Sequence, residues 1–174
     1  MNRSLAQNSS FLKHLLILSL LTAISVFLER FLGYNDKVLS ISIAFLPIAL
    51  AGMLFGVVPA MAVAALADFL GALLFPSGPL DLRFTLIAAI RGAIYGFFLY
   101  RRNLTKPWLI GMQALIILVP NLIMNTLVIS TLVGKGFFAL LPLRVVKNLL
   151  MFPVEVFLLL KMAEYRVSFE RLNK

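Results

Sequence analysis

The chain has 174 residues, 61% of them hydrophobic and only 13% charged, with a mean hydropathy of +1.00. A soluble domain carries roughly 45–50% apolar and about 25% charged residues, so a soluble enzyme is excluded and one integral membrane domain over 1–174 is expected. The absence of cysteine and the single histidine, His14, leave no disulfide framework, zinc-thiolate site or thiol nucleophile, and argue against a histidine metal centre or a Ser-His-Asp triad.

Six apolar segments follow in order, bounded by charges, Pro or Gly. The first, 11–32, looks like a signal peptide in that Lys13 precedes its apolar run. It is too long for one, however, and no small-residue cleavage site follows the Glu29-Arg30 pair. His14 falls at its edge, an interfacial position. The second, 38–53, is short, and Pro47 inside it is expected to bend the helix. The third, 57–74, carries a stripe of small residues, Ala60, Ala64, Ala67 and Gly71, that lets helices pack closely. Asp68 lies beside that stripe. The fourth, 82–100, carries Phe84, Ala88, Arg91 and Tyr95 on one face. The fifth, 107–132, contains Pro120, followed by Asn121 and Asn125 at i, i+4. The sixth, 142–162, carries Arg144, Lys147, Asn148, Met151 and Glu155 at i, i+3, i+4, i+7 and i+11, a narrow polar face. A short basic tail, 163–174, follows. The predicted fold is an all-α bundle of six transmembrane helices.

The net charge of +9 sits at segment ends, which is the signature of membrane orientation rather than of nucleic-acid binding. With the N-terminus cytoplasmic, that side receives Arg3, Lys13, Arg101, Arg102, Lys106, Lys161, Arg166, Arg171 and Lys174. The opposite side receives Arg30, Lys37, Arg83, Lys135 and Arg144. Both termini are therefore expected in the cytoplasm. Loops 33–37, 75–81 and 134–141 then face outside, and Phe55-Gly56 forms a tight inner turn. Phe75, Phe137 and Phe138, beside Pro76 and Gly136, suit a gate over a flat ligand.

Arg91 is the only charge in the apolar run 84–100. A charge at mid-bilayer depth costs at least ~2.5 kcal/mol and faces a polar cavity or a partner. With the polar faces of segments five and six, it suggests a buried site for an anionic ligand. Plainer readings stand beside this one. Arg91 can instead pair structurally with Asp68 or Glu155. Arg144 and Lys147 can snorkel to headgroups. Asn121 and Asn125 can be interhelical hydrogen bonds, and Asp68 can be structural.

The segments LAGMLFGVVPAMAVAALADFLGALLFPSGPLD and FTLIAAIRGAIYG resemble the substrate-binding S-components of energy-coupling factor (ECF) vitamin transporters. The Phe55-Gly56 turn and the run Ala67-Asp68-Phe69-Leu70-Gly71 carry the general likeness. Glu29-Arg30-Phe31, Phe75-Pro76-Ser77-Gly78-Pro79, Phe84-Thr85 and Arg91-Gly92 are similar to the folate-specific branch. The likeness extends over about 15–155. The resemblance implies a six-helix bacterial plasma-membrane protein that binds one vitamin, here folate or a reduced folate. It also implies a membrane coupling subunit and two cytosolic ATPases, and toppling of the bundle to release substrate. The chain lacks a Walker sequence, so ATP hydrolysis falls to those partners, and no cofactor is expected. Docking is implied at a small-residue pair on helix one, for which Ser19 and Ala23 are the nearest match.

Folate joins a flat pterin, a benzoyl ring and a glutamate with two carboxylates. Under the resemblance Arg144 and Lys147, with Asn148 on their face, would hold the carboxylates. Asn121, Asn125 and Asp68 would pair with the pterin edge. Phe75, Phe84 and Tyr95 would stack on the rings, with Pro76 in the covering loop. Arg91 would take a carboxylate or the pterin carbonyl. Rival functions fit less well. An S-component for a cationic thiamine precursor would favour carboxylates, and one for pantothenate leaves the aromatics unexplained. A small structural membrane protein does not need converging Arg, Lys and Asn. An intramembrane enzyme would need an acidic metal cluster or a histidine acid-base pair.

Overall fold

The computed structural model describes residues 2–35, 40–76 and 80–172. Lys37, Ser77-Gly78-Pro79 and Lys174, which the sequence reading places in loops and tail, lie outside them. Helix α1 (Asn2–Arg30) leads into a two-residue antiparallel pairing of β1 (Tyr34–Asn35) with β2 (Ser40–Ile41). Then follow α2 (Phe45–Phe55), α3 (Val57–Leu74), α4 (Leu82–Leu99), α5 (Lys106–Val133) and α6 (Phe137–Leu172). Each of the six apolar segments thus carries a helix.

Four of these helices, Leu12–Arg30, Val57–Leu74, Leu82–Leu99 and Lys106–Val133, are long and apolar enough to cross a bilayer. The 11 residues of α2 reach roughly 16 Å, short of the ~30 Å hydrocarbon core. Helix α6 is long, but Arg144, Lys147 and Glu155 interrupt its apolar run.

Several boundaries differ from the sequence reading, each for a local reason. The second helix starts at Phe45, not at 38. Ser40 and Ser42 alternate with Ile41 and Ile43, a period-two pattern that suits extended chain. The Ser42 hydroxyl accepts from the Ala44 N–H at 3.0 Å and donates to Leu28 O at 3.3 Å, fixing this entry against α1. Pro47 consequently falls in the first turn of α2 and bends nothing, since an N–H there has no intrahelical acceptor. Helix α5 is interrupted by a π-helical stretch, Ile117–Met124, around Pro120. The Asn125 N–H reaches back five residues to Pro120 O.

The 134–141 loop is also shorter than expected. Gly134 closes α5 in the left-handed region (φ 68°), and Ala139 N bonds to Gly136 O at 3.0 Å, so α6 begins at Phe137. Phe137 and Phe138 therefore belong to its first turn. The basic tail continues α6 to Leu172. The Lys161–Glu164 pair (3.0 Å) and an Arg166 Nη1 hydrogen bond to Leu99 O (2.9 Å) hold this extension.

One core cluster draws on all six helices, and its closest packing lies where α2, α3 and α4 meet backbone to backbone. The expected stripe Ala60, Ala64, Ala67 and Gly71 is buried. Opposite it, a Cβ on Gly92 would overlap the Ala60 and Met61 backbone, and one on Gly96 would overlap Gly56 and Val57. On α2, a Cβ on Gly52 would stand 2.8 Å from Gly96 N. Gly56 joins α2 to α3 with φ 92°, a conformation that L side chains rarely adopt. Where hydrophobic burial supplies no drive between helices, close van der Waals packing of this kind holds them. The Trp108 indole closes the far end of α4, donating to Phe98 O at 2.9 Å.

At the opposite end Asp81 caps α4, accepting from Arg83 N at 2.9 Å. The Arg83 guanidinium folds back onto the same carboxylate and donates to Thr131 Oγ1 at 3.0 Å, tying α4 to α5. These hydrogen bonds hold the Asp81 carboxyl below its ordinary range.

Candidate ligand-binding site

Polar side chains of four helices gather around Arg91, at mid-length on α4. From α6, Arg144, Lys147 and Glu155 line one face of the helix. Lys147 lies within electrostatic reach of Glu155, Arg144 and Arg91. Glu155 in turn feels both Lys147 and Arg91. On the other flank Glu29, at the end of α1, is within reach of Arg91, Arg30 and Asp68. The Arg30 guanidinium lies over Gly71, where a Cβ would meet its Nε at 3.0 Å. Glycine at 71 thus makes room for this cation.

Arg144 is 4% exposed, and its Nη2 donates to the Asn121 backbone carbonyl at 3.2 Å. A snorkelling side chain would instead reach the surface. Asn121 thus meets the α6 face through its carbonyl, from within the π-helical stretch. Asn148 is equally buried. Arg91 Nε, Asn125 Oδ1 and Asn148 Nδ2 are buried without a hydrogen-bond partner. Buried polar atoms without partners are uncommon, and each calls for a ligand, water or ion to complete it.

The remaining expected residues divide. Asp68 accepts from Thr85 Oγ1 at 2.8 Å, which joins α3 to α4. Among the described residues Arg83–Asp81 and Lys161–Glu164 form close ion pairs, and neither contains Arg91, Asp68 or Glu155. Phe75 is 41% exposed and meets Phe31 edge-on at 5.2 Å, linking the ends of α3 and α1. Pro76 beside it is exposed, and Phe84 is half-buried. Tyr95 lies in the packed core, 1% exposed, with its ring parallel to Phe45. Helical spacing put it on the Arg91 face but did not give its depth. Phe138, 82% exposed on the first turn of α6, packs against Phe137 and forms no loop gate.

The sequence reading missed Gln113. Its Oε1 accepts from the Tyr95 hydroxyl at 3.2 Å, and its Nε2 donates to Glu155 Oε2. A buried chain of hydrogen bonds thereby crosses α4, α5 and α6. A polar residue inside an apolar segment was the available signal. Glu29, which the sequence marks as a charge at the end of the first segment and as part of the family likeness, lies within electrostatic reach of Arg91 and Asp68.

The family of ECF transporter substrate-specific components matches the chain over residues 13–162. The chain is similar to a folate transporter FolT of Clostridium novyi (strain NT), 32% identical over 140 residues, covering 80% of this chain and 81% of the relative. A folate transporter FolT of Leuconostoc mesenteroides is 29% identical over 150 residues, covering 83% and 80%. Among solved structures, FolT bound with folic acid superposes with a TM-score of 0.84 at 34% identity. That alignment covers 88% of this chain and 93% of the other.

Proposed function

The chain belongs to the substrate-specific components of ECF transporters, and we propose that the vitamin it binds is a folate. The family is one of transporter components, not enzymes. The observation that carries the ligand assignment is Lys147 on α6, within electrostatic reach of both Arg91 on α4 and the buried Arg144. Three cations around a site within the bilayer have the sign and number for the two carboxylates of a glutamate tail. The unpartnered Asn125 Oδ1 and Asn148 Nδ2 add an acceptor and a donor for a heteroaromatic ring. Phe75, at the end of α3, and Phe84, in the first turn of α4, supply flat apolar surface. The similarity to a FolT that holds folic acid supports the same ligand.

In this reading the chain spans a bacterial plasma membrane six times with both termini cytoplasmic. A membrane coupling subunit and two ATPases associate with it and drive uptake, and Ser19 and Ala23 contribute the docking face. Both residues are exposed on α1, as a docking face requires. The test is the absorbance and mass spectrum of protein purified from folate-containing medium. A bound pterin is expected. A different vitamin recovered in its place overturns the assignment.

A further inference from the structure

Three carboxylates flank the site, and their surroundings differ. Asp68 is engaged by the Thr85 hydroxyl. Glu29 stands among Arg30, Arg91 and Asp68. Glu155 feels the charges of Lys147 and Arg91 yet forms a close ion pair with neither. A neutral amide holds it instead. Gln113 is 1% exposed and is itself fixed by the equally buried Tyr95. The amide cannot flip, because a carboxylate accepts hydrogen bonds and does not donate them to an amide oxygen. Buried networks of this kind hold their members in one geometry.

Glu155 also lies eleven residues along α6 from Arg144, roughly 16 Å of helix. The face is cationic at one end and carries an oriented acceptor at the other. That polarity fits an elongated ligand with a dianionic tail and a head rich in N–H donors.

We propose that Glu155 is a specificity-determining residue, whose carboxylate, set by Gln113, accepts the N–H edge of the pterin head. This assignment rests on the folate reading above. The pterin offers its ring N–H and its 2-amino group side by side, a pair that one carboxylate can accept together.

Calorimetry on the purified full chain with three probes tests it. The probes are folic acid, its head-less fragment 4-aminobenzoyl-glutamate, and the analogue in which the 2-amino donor is replaced by a carbonyl. The wild-type chain is expected to prefer folic acid over the carbonyl analogue by at least about ten-fold, because a site built around a donor rejects a ligand that lacks it. Glu155→Gln, which can donate to that carbonyl, is expected to erase or invert this preference. Its affinity for the fragment should stay within about two-fold of wild type. Glu155→Asp keeps the charge but withdraws it, so it should weaken folic acid and spare the fragment. The proposal is overturned if either variant weakens fragment and folic acid equally with head preference unchanged. Glu155 would then act only as a counter-ion. Wild-type chain that binds none of the three probes overturns the folate reading itself, and this assignment with it.

Discussion

A guanidinium inside an apolar run of sequence is held by what surrounds it, and Arg91 has no close ion pair with Asp68 or Glu155. Its Nε lacks any partner. Arg91→Ala is therefore expected to weaken folate binding by about 2–5 kcal/mol, the usual cost of removing one partner of a buried charged pair. The ligand-free melting temperature should change little. A collapsed melt with normal affinity would instead make Arg91 a structural residue. Asp81 gives a pH test. Its folded carboxyl is depressed by the Arg83 hydrogen bonds, so its contribution is present above the unfolded value of about 3.9 and is lost as pH falls through the folded one. The melting difference between wild type and Asp81→Asn should be constant from about pH 5 to 8 and shrink in stronger acid. A difference that grows on acidification would contradict this. Charge made Arg91, Arg144 and Lys147 readable from sequence, because each interrupts an apolar run. Gln113 carries no charge, and its role depends on which helices face each other, which spacing within one helix does not encode.

At the scale of the helix, backbone contact between α3 and α4 governs where Arg91 points. Gly92→Ala would place a methyl group on the Ala60 backbone, which cannot rotate aside. Overpacking of this sort costs about 1–3 kcal/mol, and both melting temperature and folate affinity should fall, since Arg91 adjoins the contact. Around Gly111 on α5, nothing lies within 4 Å of where a methyl group would stand, so Gly111→Ala should be neutral or slightly stabilising. Thermal melts of the two variants side by side check the pair, and equal loss in both would refute the contact argument. Hydrophobic runs and Gly or Pro punctuation were enough to locate α3 and α4. The start of α2 was missed because total apolarity masked the serine alternation at 40 and 42. The register of the π-helical stretch in α5 was out of reach of the sequence, because one proline is compatible with several ways of rejoining the helix.

At the scale of the whole molecule, the proposed binding site and the proposed docking face lie apart. The site is built from the ends and inner faces of the helices, whereas Ser19 and Ala23 face outward from α1. Ser19→Trp and Ala23→Trp should leave folate affinity unchanged and prevent co-purification with the coupling subunit, since a bulky side chain holds a partner helix away. Retained assembly in both variants would move the docking surface elsewhere. The number of helices and their small-residue packing could be read from the sequence, because both follow from local pattern. How Arg91, Glu155 and Glu29 converge could not, since that depends on the rotation of each helix about its axis. The central claim is that this chain alone, without ATP or partners, binds folate through its buried cations. Calorimetric titration of the purified protein with folic acid tests it most directly. A saturable one-to-one isotherm, strongly weakened by Arg144→Ala, is the predicted result. No heat with folic acid or a reduced folate, alongside tight binding of another vitamin, would contradict it.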